Sequence, residues 1–273
     1  RDPRRRGVDG VTTAAPLAGR AVLVTRPAGQ SAGLAERLAA LGAEPVLLPT
    51  IGIEPVRDRA MFDAAIERLA DFRVAVFVSA NAVEQAMPAV VAHGGFAPGT
   101  PIAAIGARTA RALARFGIHD ALFTTDADSE ALLELPELSN VAGLDIVIFA
   151  GEGGRTLMRA ALADRGARVT VAACYRRVVP DVSTTDVEHR LRTGTLDAVT
   201  ATSSEGLRNL LTMLDPASGP RLLALPHIVP HVRIAETARS IGVSDITVCG
   251  AGDDAIVQAL LSRFAAAASH CAA

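Results

Sequence analysis

The sequence predicts an α/β protein with two doubly wound parallel sheets, on three observations. The chain repeats itself at a separation of 124 residues: Gly19 matches Gly143, and Ser79 matches Ser203. Short runs such as AVLVT and DIVIF are apolar on successive residues, as in parallel strands that helices cover on both faces. These runs alternate with amphipathic stretches of helical length, which is typical of βαβ units. The period exceeds any solenoid unit, and five strands in each repeat favour two flavodoxin-like domains with a cleft between them.

The strands are expected at the apolar runs. They cover residues 21–25, 44–48, 73–78, 101–105, 121–124, 145–149, 168–172, 196–201, 222–225 and 245–248. Helices are expected where apolar side chains recur on one face, as Leu34, Leu38 and Leu41 do before a glycine cap at Gly42. The helices include residues 30–41, 80–92, 107–116, 153–165, 204–214, 231–241 and 253–264.

Two proline-bearing stretches, residues 48–58 and 175–184, have no helical period and are the predicted linkers. Pro49, Pro55 and Pro180 fix the local φ, so the linkers should be semi-rigid. Both stretches follow the second strand of a repeat and not the repeat boundary near residue 140. The opening βαβ unit of each repeat should therefore lie apart from the strands that follow it.

The composition is that of a soluble enzyme whose basic and acidic residues nearly balance. Half of the 273 residues are hydrophobic, enough for two cores. The chain has 27 basic and 29 acidic residues, so we expect neither nucleic acid nor membrane as a partner. Cys174, Cys249 and Cys271 lack metal-ligand spacing, which predicts a reduced, cytoplasmic protein without a metal.

Both ends of the chain are expected to be disordered. Residues 1–18 carry basic side chains but no apolar segment of the kind found in signal peptides, so they are predicted to be a disordered leader. Residues 265–273, with the sequence AAAASHCAA, are predicted to be a disordered tail.

Candidate ligand-binding residues occur after matching strands, because ligands of doubly wound sheets bind beyond the carboxyl ends of the strands. The first matched turns, TRPAGQS and FAGEGGR, contain Arg26 and Arg155, whose guanidinium groups suit carboxylates. Their glycines either allow a ligand to approach the backbone or serve only a tight turn. The motif is neither a Walker loop nor a dinucleotide fingerprint, so no cofactor is predicted.

The second matched turns place Ser79 and Ser203 at helix starts, where a hydroxyl can cap the helix and also bind an anion. Capping alone would explain either serine. Asn81, Thr202 and Ser204 flank them and make an anion-binding rim the sharper interpretation.

A third pair of turns carries Thr109 in the first repeat and His231 with Arg233 in the second. Tyr175, the only tyrosine, follows a strand at the start of the second linker and is expected to face the cleft. A packing role with a solvated hydroxyl is the alternative. The chain has no G-x-S-x-G, no H-E-x-x-H and no cluster of histidine, cysteine and aspartate, which leaves hydrolase and metalloenzyme interpretations without support.

Taken in order, the motifs VLVTRP, FVSANAV, AAIGARTARAL, GEGGRTLMRAALADRGA, ACYRR and ATSSEGLRNLL resemble those of the uroporphyrinogen-III synthase family. The resemblance covers residues 19–264. It implies two flavodoxin-like domains joined by a two-stranded linker. The first would comprise residues 19–51 with 181–264, and the second residues 54–178.

The resemblance also implies the reaction. Members of the family close hydroxymethylbilane, a linear tetrapyrrole with eight carboxylates, with loss of water and inversion of ring D through a spiro intermediate. No cofactor takes part. The enzyme's main task is then to hold the flexible substrate in one orientation. We further expect a cytoplasmic monomer, with transfer of the substrate from hydroxymethylbilane synthase.

The resemblance assigns roles to single residues. Tyr175 is similar to the family's active-site tyrosine, which assists departure of the hydroxyl. Thr109, Ser79 and Ser203 match its substrate-binding hydroxyls. The second G-x-T-T-A turn departs from the pattern, because Ile234 stands where the family has a threonine. His231 and Arg233, or backbone groups alone, would then bind carboxylates there.

Two other function classes stay open. A noncatalytic two-lobed module that binds anionic ligands would share the repeat and the hinge, although such modules usually carry a signal peptide. A regulatory domain derived from the synthase would also share them, although such chains usually carry a DNA-binding appendage.

Overall fold

The computed structural model describes residues 15–124, 129–154 and 157–271. The chain forms two compact units. The first unit contains the described residues up to Gly52 together with those from Val179 onward, and the second contains Ile53–Val178. The chain thus passes between units inside the two proline-bearing stretches.

The described residues form eleven strands, which provide the two sheets. In chain order they are β1 (Ala21–Val24), β2 (Glu44–Leu47), β3 (Gly52–Pro55), β4 (Val74–Phe77), β5 (Ile102–Ala104), β6 (Leu122–Phe123), β7 (Asp145–Gly151), β8 (Arg168–Val178), β9 (Ala198–Thr200), β10 (His227–Val229) and β11 (Ile246–Val248).

The α-helices of the same residues lie between these strands. They are α1 (Ala32–Ala40), α2 (Ala60–Glu67), α3 (Ala80–Ala92), α4 (Gly106–Ala114), α5 (Ser129–Leu133), α6 (Pro136–Ser139), α7 (Leu157–Asp164), α8 (Thr185–Thr193), α9 (Ser204–Met213), α10 (Gly219–Ala224), α11 (Val232–Ser240) and α12 (Asp253–Cys271).

Each sheet combines strands from both sequence repeats. The order in the first unit is β2-β1-β9-β10-β11, and in the second β3-β8-β7-β4-β5-β6. β1 pairs in parallel with β2 and β9, and β7 pairs in parallel with β8 and β4. The opening βαβ unit of each repeat is therefore in the sheet completed by the other repeat.

Apolar clusters cover both faces of each sheet. In the first unit Leu23 and Val199 pack with α8, α9 and α11 on one face, while Val22 and Ala198 pack with α1 and α12 on the other. The second sheet is covered in the same way, by α2, α3 and α4 on one face and α5, α6 and α7 on the other. Because successive side chains of a strand point to opposite faces, central strands such as β1 (AVLV) and β4 (VAVF) are apolar at every residue. The predicted α/β fold with parallel sheets is confirmed.

One predicted strand is wrong. Residues 222–225 were expected to be a strand, but residues 219–224 form α10 and the strand is β10. Pro220 lies in the first turn of α10, where proline is favoured, and the leucines that follow are good helix formers. The β-branched Ile228 and Val229 lie four and five residues beyond the end of the helix and form the strand instead.

The ordered part of the chain is longer than predicted at both ends. Leu17 was expected in the disordered leader, but it is fully buried and its N–H donates to the Leu41 carbonyl. Residues 1–14 of that leader lie outside the described residues. At the other end α12 continues to Cys271, through much of the expected disordered tail. Alanine has the highest helix propensity, which favours continuation through the alanine run 265–268.

His227 is the buried titratable group of the first sheet. Its side chain is fully buried, Nδ1 lies 2.9 Å from the Leu225 carbonyl oxygen, and Nε2 has no hydrogen-bond partner among the described residues. Burial lowers the pKa of His227 below its ordinary value of 6.5, although the hydrogen bond to Leu225 and the charge of Asp245 act in the opposite direction. The imidazole is therefore held in its neutral form.

We expect the protein to lose stability in mild acid because of His227. The unfolded chain binds a proton near pH 6.5 and the folded chain only at lower pH, so the free energy of unfolding falls as pH decreases from 6.5 toward the folded pKa. His227→Asn keeps an amide donor for Leu225 but cannot titrate. When the free energy of unfolding is measured with urea between about pH 7 and pH 5, it should change less with pH in this variant than in the wild type. The control is His231→Asn, which replaces an exposed histidine. A pH dependence of His227→Asn equal to that of the wild type would contradict this account.

Candidate functional site

Several predicted residues lie together where the parallel strands of the second sheet have their carboxyl ends, which we call the carboxyl edge of the sheet. Ser79 follows β4 and is the N-cap of α3, and its Oγ accepts a hydrogen bond from the Ala82 N–H at 3.1 Å. Asn81 lies in the first turn of α3, and Thr109 lies in the first turns of α4, which follows β5. Because the strands are parallel, all of these helix N-termini lie at one edge.

Tyr175 lies at this same edge, within β8. The residue is 2% exposed and belongs to the apolar cluster between the sheet and the helices α2, α3 and α4. The phenol oxygen lies 3.1 Å from Ser79 Oγ, and either oxygen can donate. A buried tyrosine hydroxyl needs a partner, and here that partner is a helix-capping serine.

Two other predictions for the second unit have different outcomes. Thr109 is buried, at 3% exposure, in the packed side of α4. Arg155 lies outside the described residues, so its predicted role stays a prediction.

The carboxyl edge of the first sheet carries the matching serine. Ser203 follows β9 and caps α9 by accepting a hydrogen bond from the Gly206 N–H at 2.9 Å. Thr202 precedes it, half-buried. Ser204 Oγ accepts a hydrogen bond of 2.9 Å from the Thr237 hydroxyl. Thr237 was missed in the sequence because it lies in the middle of α11, away from the turn motifs.

His231 and Arg233 lie at the start of α11 and are exposed. His231 is the N-cap, and its Nδ1 accepts a hydrogen bond from the Arg233 N–H at 3.1 Å. Ile234, which replaces the expected threonine, is only 5% exposed and packs in the apolar cluster under α9 and α11. That position is part of the core in this chain and offers no polar group to a ligand.

Arg26 is held by an acidic partner. Its guanidinium donates to Asp253 at 2.5 Å, and the arginine side chain is only 14% exposed. Asp253 opens α12, where a carboxylate is favoured by the helix dipole. The sequence predicted Arg26 as a binder of ligand carboxylates. In this structure a carboxylate of the chain itself occupies that role.

Buried threonines make the first edge rigid. Thr50 Oγ1 donates to the Thr25 carbonyl at 2.9 Å, and Thr25 Oγ1 donates to the Thr200 carbonyl at 2.9 Å. Asn209 of α9 donates to the Thr50 carbonyl at 2.8 Å. These bonds connect the ends of β2, β1 and β9 and fix α9 against them.

The neighbouring cysteine is an unreactive group. Burial raises the pKa of Cys174 to about 12, so its thiol stays protonated near neutral pH. Within residues 15–124, 129–154 and 157–271, no three histidine, cysteine, aspartate or glutamate side chains are grouped to hold a metal ion. None of the described helices has both the length and the hydropathy of a membrane span.

A family model described as uroporphyrinogen-III synthase HemD matches residues 32–257. The chain belongs to the uroporphyrinogen-III synthase family. Two members of the family are similar to this chain over most of its length. The uroporphyrinogen-III synthase of Salmonella typhimurium is 32% identical over 88% of this chain and 99% of its own. That of Synechococcus elongatus is 34% identical over 73% of this chain and 76% of its own.

A solved structure from the same family supports the fold. A mutant uroporphyrinogen III synthase from the extremely thermophilic bacterium Thermus thermophilus superposes with a TM-score of 0.60 at 22% identity, covering 88% of this chain and 97% of its own. At 22% identity, this similarity supports the α/β fold with parallel sheets and nothing finer.

Among the positions at which the two edges differ is that of Tyr175. By the repeat of 124 residues, Tyr175 corresponds to Ile51. Ile51 is 8% exposed, and its Cδ1 lies near Gly206 in the first turn of α9. The capping serine is thus present in both units, whereas the phenol hydroxyl occurs only in the second.

Gly206→Ala tests how tightly the first edge is packed. A Cβ there would lie 2.8 Å from Thr50 Oγ1 and 3.0 Å from Ser203 Oγ, and both oxygens are held by hydrogen bonds. Alanine gains about 1 kcal/mol in a helix, but overpacking costs about 1–3 kcal/mol. We expect a net loss of roughly 1 kcal/mol in urea unfolding. Gly219→Ala, with no atom within 4 Å, is the control and should not lose stability. Equal stability of the two variants would refute the close packing.

Proposed function

We propose that this chain is a uroporphyrinogen-III synthase, which closes hydroxymethylbilane with loss of water and inversion of ring D. The observation that carries the proposal is the similarity to the Salmonella enzyme, which covers 88% of this chain and 99% of that enzyme. The edges of the two sheets supply hydroxyl and N–H donors suited to a substrate with eight carboxylates. Tyr175 supplies the one buried phenol.

The reaction begins with departure of the substrate hydroxyl. Tyr175 donates a proton to that hydroxyl, so that water leaves and an azafulvenium cation remains beside the tyrosinate. The substituted carbon of ring D attacks this cation and forms the spiro intermediate, which fragments and recombines to the III isomer. The proton lost when the macrocycle closes returns to the tyrosine oxygen. Bilane is thereby converted to uroporphyrinogen III and one water.

Binding of the carboxylates falls to helix N-termini and their flanking side chains. In the first unit these are the N-terminal turns of α9 and α11, with the side chains of Thr202, Ser203, Ser204, His231 and Arg233. In the second unit Ser79, Asn81 and Thr109 occupy the starts of α3 and α4. Unpaired N–H groups and the helix dipole favour anions at such positions. Arg26 would act only after releasing Asp253.

We also propose that each unit is a flavodoxin-like domain. The order β2-β1-β9-β10-β11 is the 2-1-3-4-5 order of that fold. The order β8-β7-β4-β5-β6 repeats it, with β3 added as an outermost strand beside β8. Domains of residues 19–51 with 181–264 and of residues 54–178, joined by a two-stranded linker, are consistent with this order.

The working state that we propose is a cytoplasmic monomer without metal, nucleotide or prosthetic group. It receives hydroxymethylbilane from hydroxymethylbilane synthase. Rapid transfer would be useful because the bilane closes without inversion when it is left unassisted.

The activity is tested by incubating the purified protein with freshly made hydroxymethylbilane and separating the isomers by chromatography. The proposal requires an excess of the III isomer over a buffer control. Isomer I alone, at the unassisted rate, would favour a noncatalytic binding or regulatory protein instead.

Tyr175→Phe tests the proton donor. The ring contacts remain while the hydroxyl is lost, so the initial rate of III formation should fall by roughly 10²-fold or more, the scale for a positioned proton donor. Unassisted closure then competes, and the product should shift toward isomer I. The rate and the isomer ratio are measured against Thr109→Ala at matched thermal stability. A rate close to wild type would rule out the donor role and leave catalysis to orientation.

A further inference from the structure

We propose that Gly151 and Ser79 are positioning residues for Tyr175. Gly151 leaves the space that the phenol ring occupies, and Ser79 holds the hydroxyl at the start of α3. The inference rests on the proposed function, in which Tyr175 donates a proton to the departing hydroxyl.

A β-bulge orients the tyrosine. β7 and β8 pair regularly up to Ala150 opposite Ala173, and the next pair is Gly151 opposite Tyr175. Cys174 is the extra residue, and its thiol donates to the Ala150 carbonyl at 3.3 Å. Bulges of this kind redirect side chains next to functional sites. As a result Cys174 and Tyr175 are both buried, although they are neighbours in a strand.

Gly151 is required by the ring that the bulge places against it. A Cβ at this glycine would lie 2.7 Å from Tyr175 Cζ, 2.8 Å from Cε2 and 3.0 Å from the hydroxyl oxygen. Gly151 does not have a positive φ, so its backbone would accept alanine. The reason for glycine at this position is therefore the tyrosine ring alone.

Ser79 fixes the other end of the ring. Its Oγ accepts the Ala82 N–H through one lone pair, which leaves one proton and one lone pair for Tyr175. When the serine donates to the phenol oxygen, the tyrosine's own proton is free for the substrate. As that proton leaves, the serine proton stabilises the oxygen, and the proton released on ring closure restores the phenol.

The first unit shows that the fold does not require this hydroxyl pair. Ser203 makes the same cap as Ser79, but Ile51 replaces the tyrosine. Capping alone is thus sufficient for the strand-to-helix turn. The contact between Ser79 and Tyr175 is an addition to the second unit, at the edge to which we assign the chemistry.

The chain offers a direct readout of the ring. Tyr175 is its only tyrosine, and it has no tryptophan. The tyrosine band in near-UV circular dichroism therefore reports the surroundings of this one ring, with or without activity.

Gly151→Ala should change that band and lower kcat about 10-fold or more, since a misplacement of about 1 Å can cost up to about 10²-fold. Gly219→Ala is the matched control, because its added methyl meets no atom within 4 Å, and should change neither. In the double variant, Gly151→Ala should not lower kcat below that of Tyr175→Phe alone, because the hydroxyl that the alanine displaces is already absent. An unchanged band and kcat in Gly151→Ala, or an equal loss on the phenylalanine background, would overturn the proposal.

Ser79 is tested with the equivalent cap as reference. Ser79→Ala and Ser203→Ala both lose a capping bond, but only Ser79→Ala should change the tyrosine band. Ser79→Thr keeps the hydroxyl and should restore both the band and most of kcat. If Ser203→Ala changes the band equally, or if threonine fails to restore it, Ser79 has only a capping role. Should Tyr175→Phe keep the wild-type rate, the donor role is wrong, and the band alone decides whether Gly151 and Ser79 fix the ring.

Discussion

The parallel pairing of β1 with β9, and of β7 with β4, is the constraint on which both units depend. Each pairing joins the opening βαβ unit of one repeat to the last three strands of the other, as Val22 opposite Ala198 and Val74 opposite Ile146 show. These strands are central in their sheets, and their side chains supply both apolar clusters of a unit. Neither unit can bury its sheet without strands from both repeats, so the exchange is a condition for having a core at all.

The exchange also determines where functional groups meet. Tyr175 belongs to the opening βαβ unit of the second repeat and Ser79 to the later strands of the first, and only the β7–β4 pairing places their hydroxyls 3.1 Å apart. The same pairing in the first unit brings Ile51 to the region of Ser203. Repetition thus supplies two similar edges with capped helices, and differences such as Tyr175 against Ile51 leave the phenol hydroxyl in the second unit only.

Much of this was predictable because its signals are local. Successive apolar residues predicted strands covered on both faces, and the Ser79 cap predicted the start of α3. The misassigned strand at residues 222–225 arose because a short leucine run suits a buried helix as well as a strand. Contacts between distant residues left no local signal. The pairing of Arg26 with Asp253, the Thr237 bond to Ser204 and the space that Tyr175 takes beside Gly151 all depend on the assembled sheets.

The exchange of βαβ units is tested most directly by comparing two isolated segments of the chain in thermal unfolding. Residues 53–178 contain the whole second sheet except Gly52 of β3, whereas residues 15–140 contain one entire repeat but lack all the strands from β7 to β11. We expect residues 53–178 to unfold cooperatively and to keep the near-UV signal of Tyr175, and residues 15–140 to show no cooperative transition. Cooperative folding of residues 15–140 alone would contradict the account, because each repeat would then be able to form its own core.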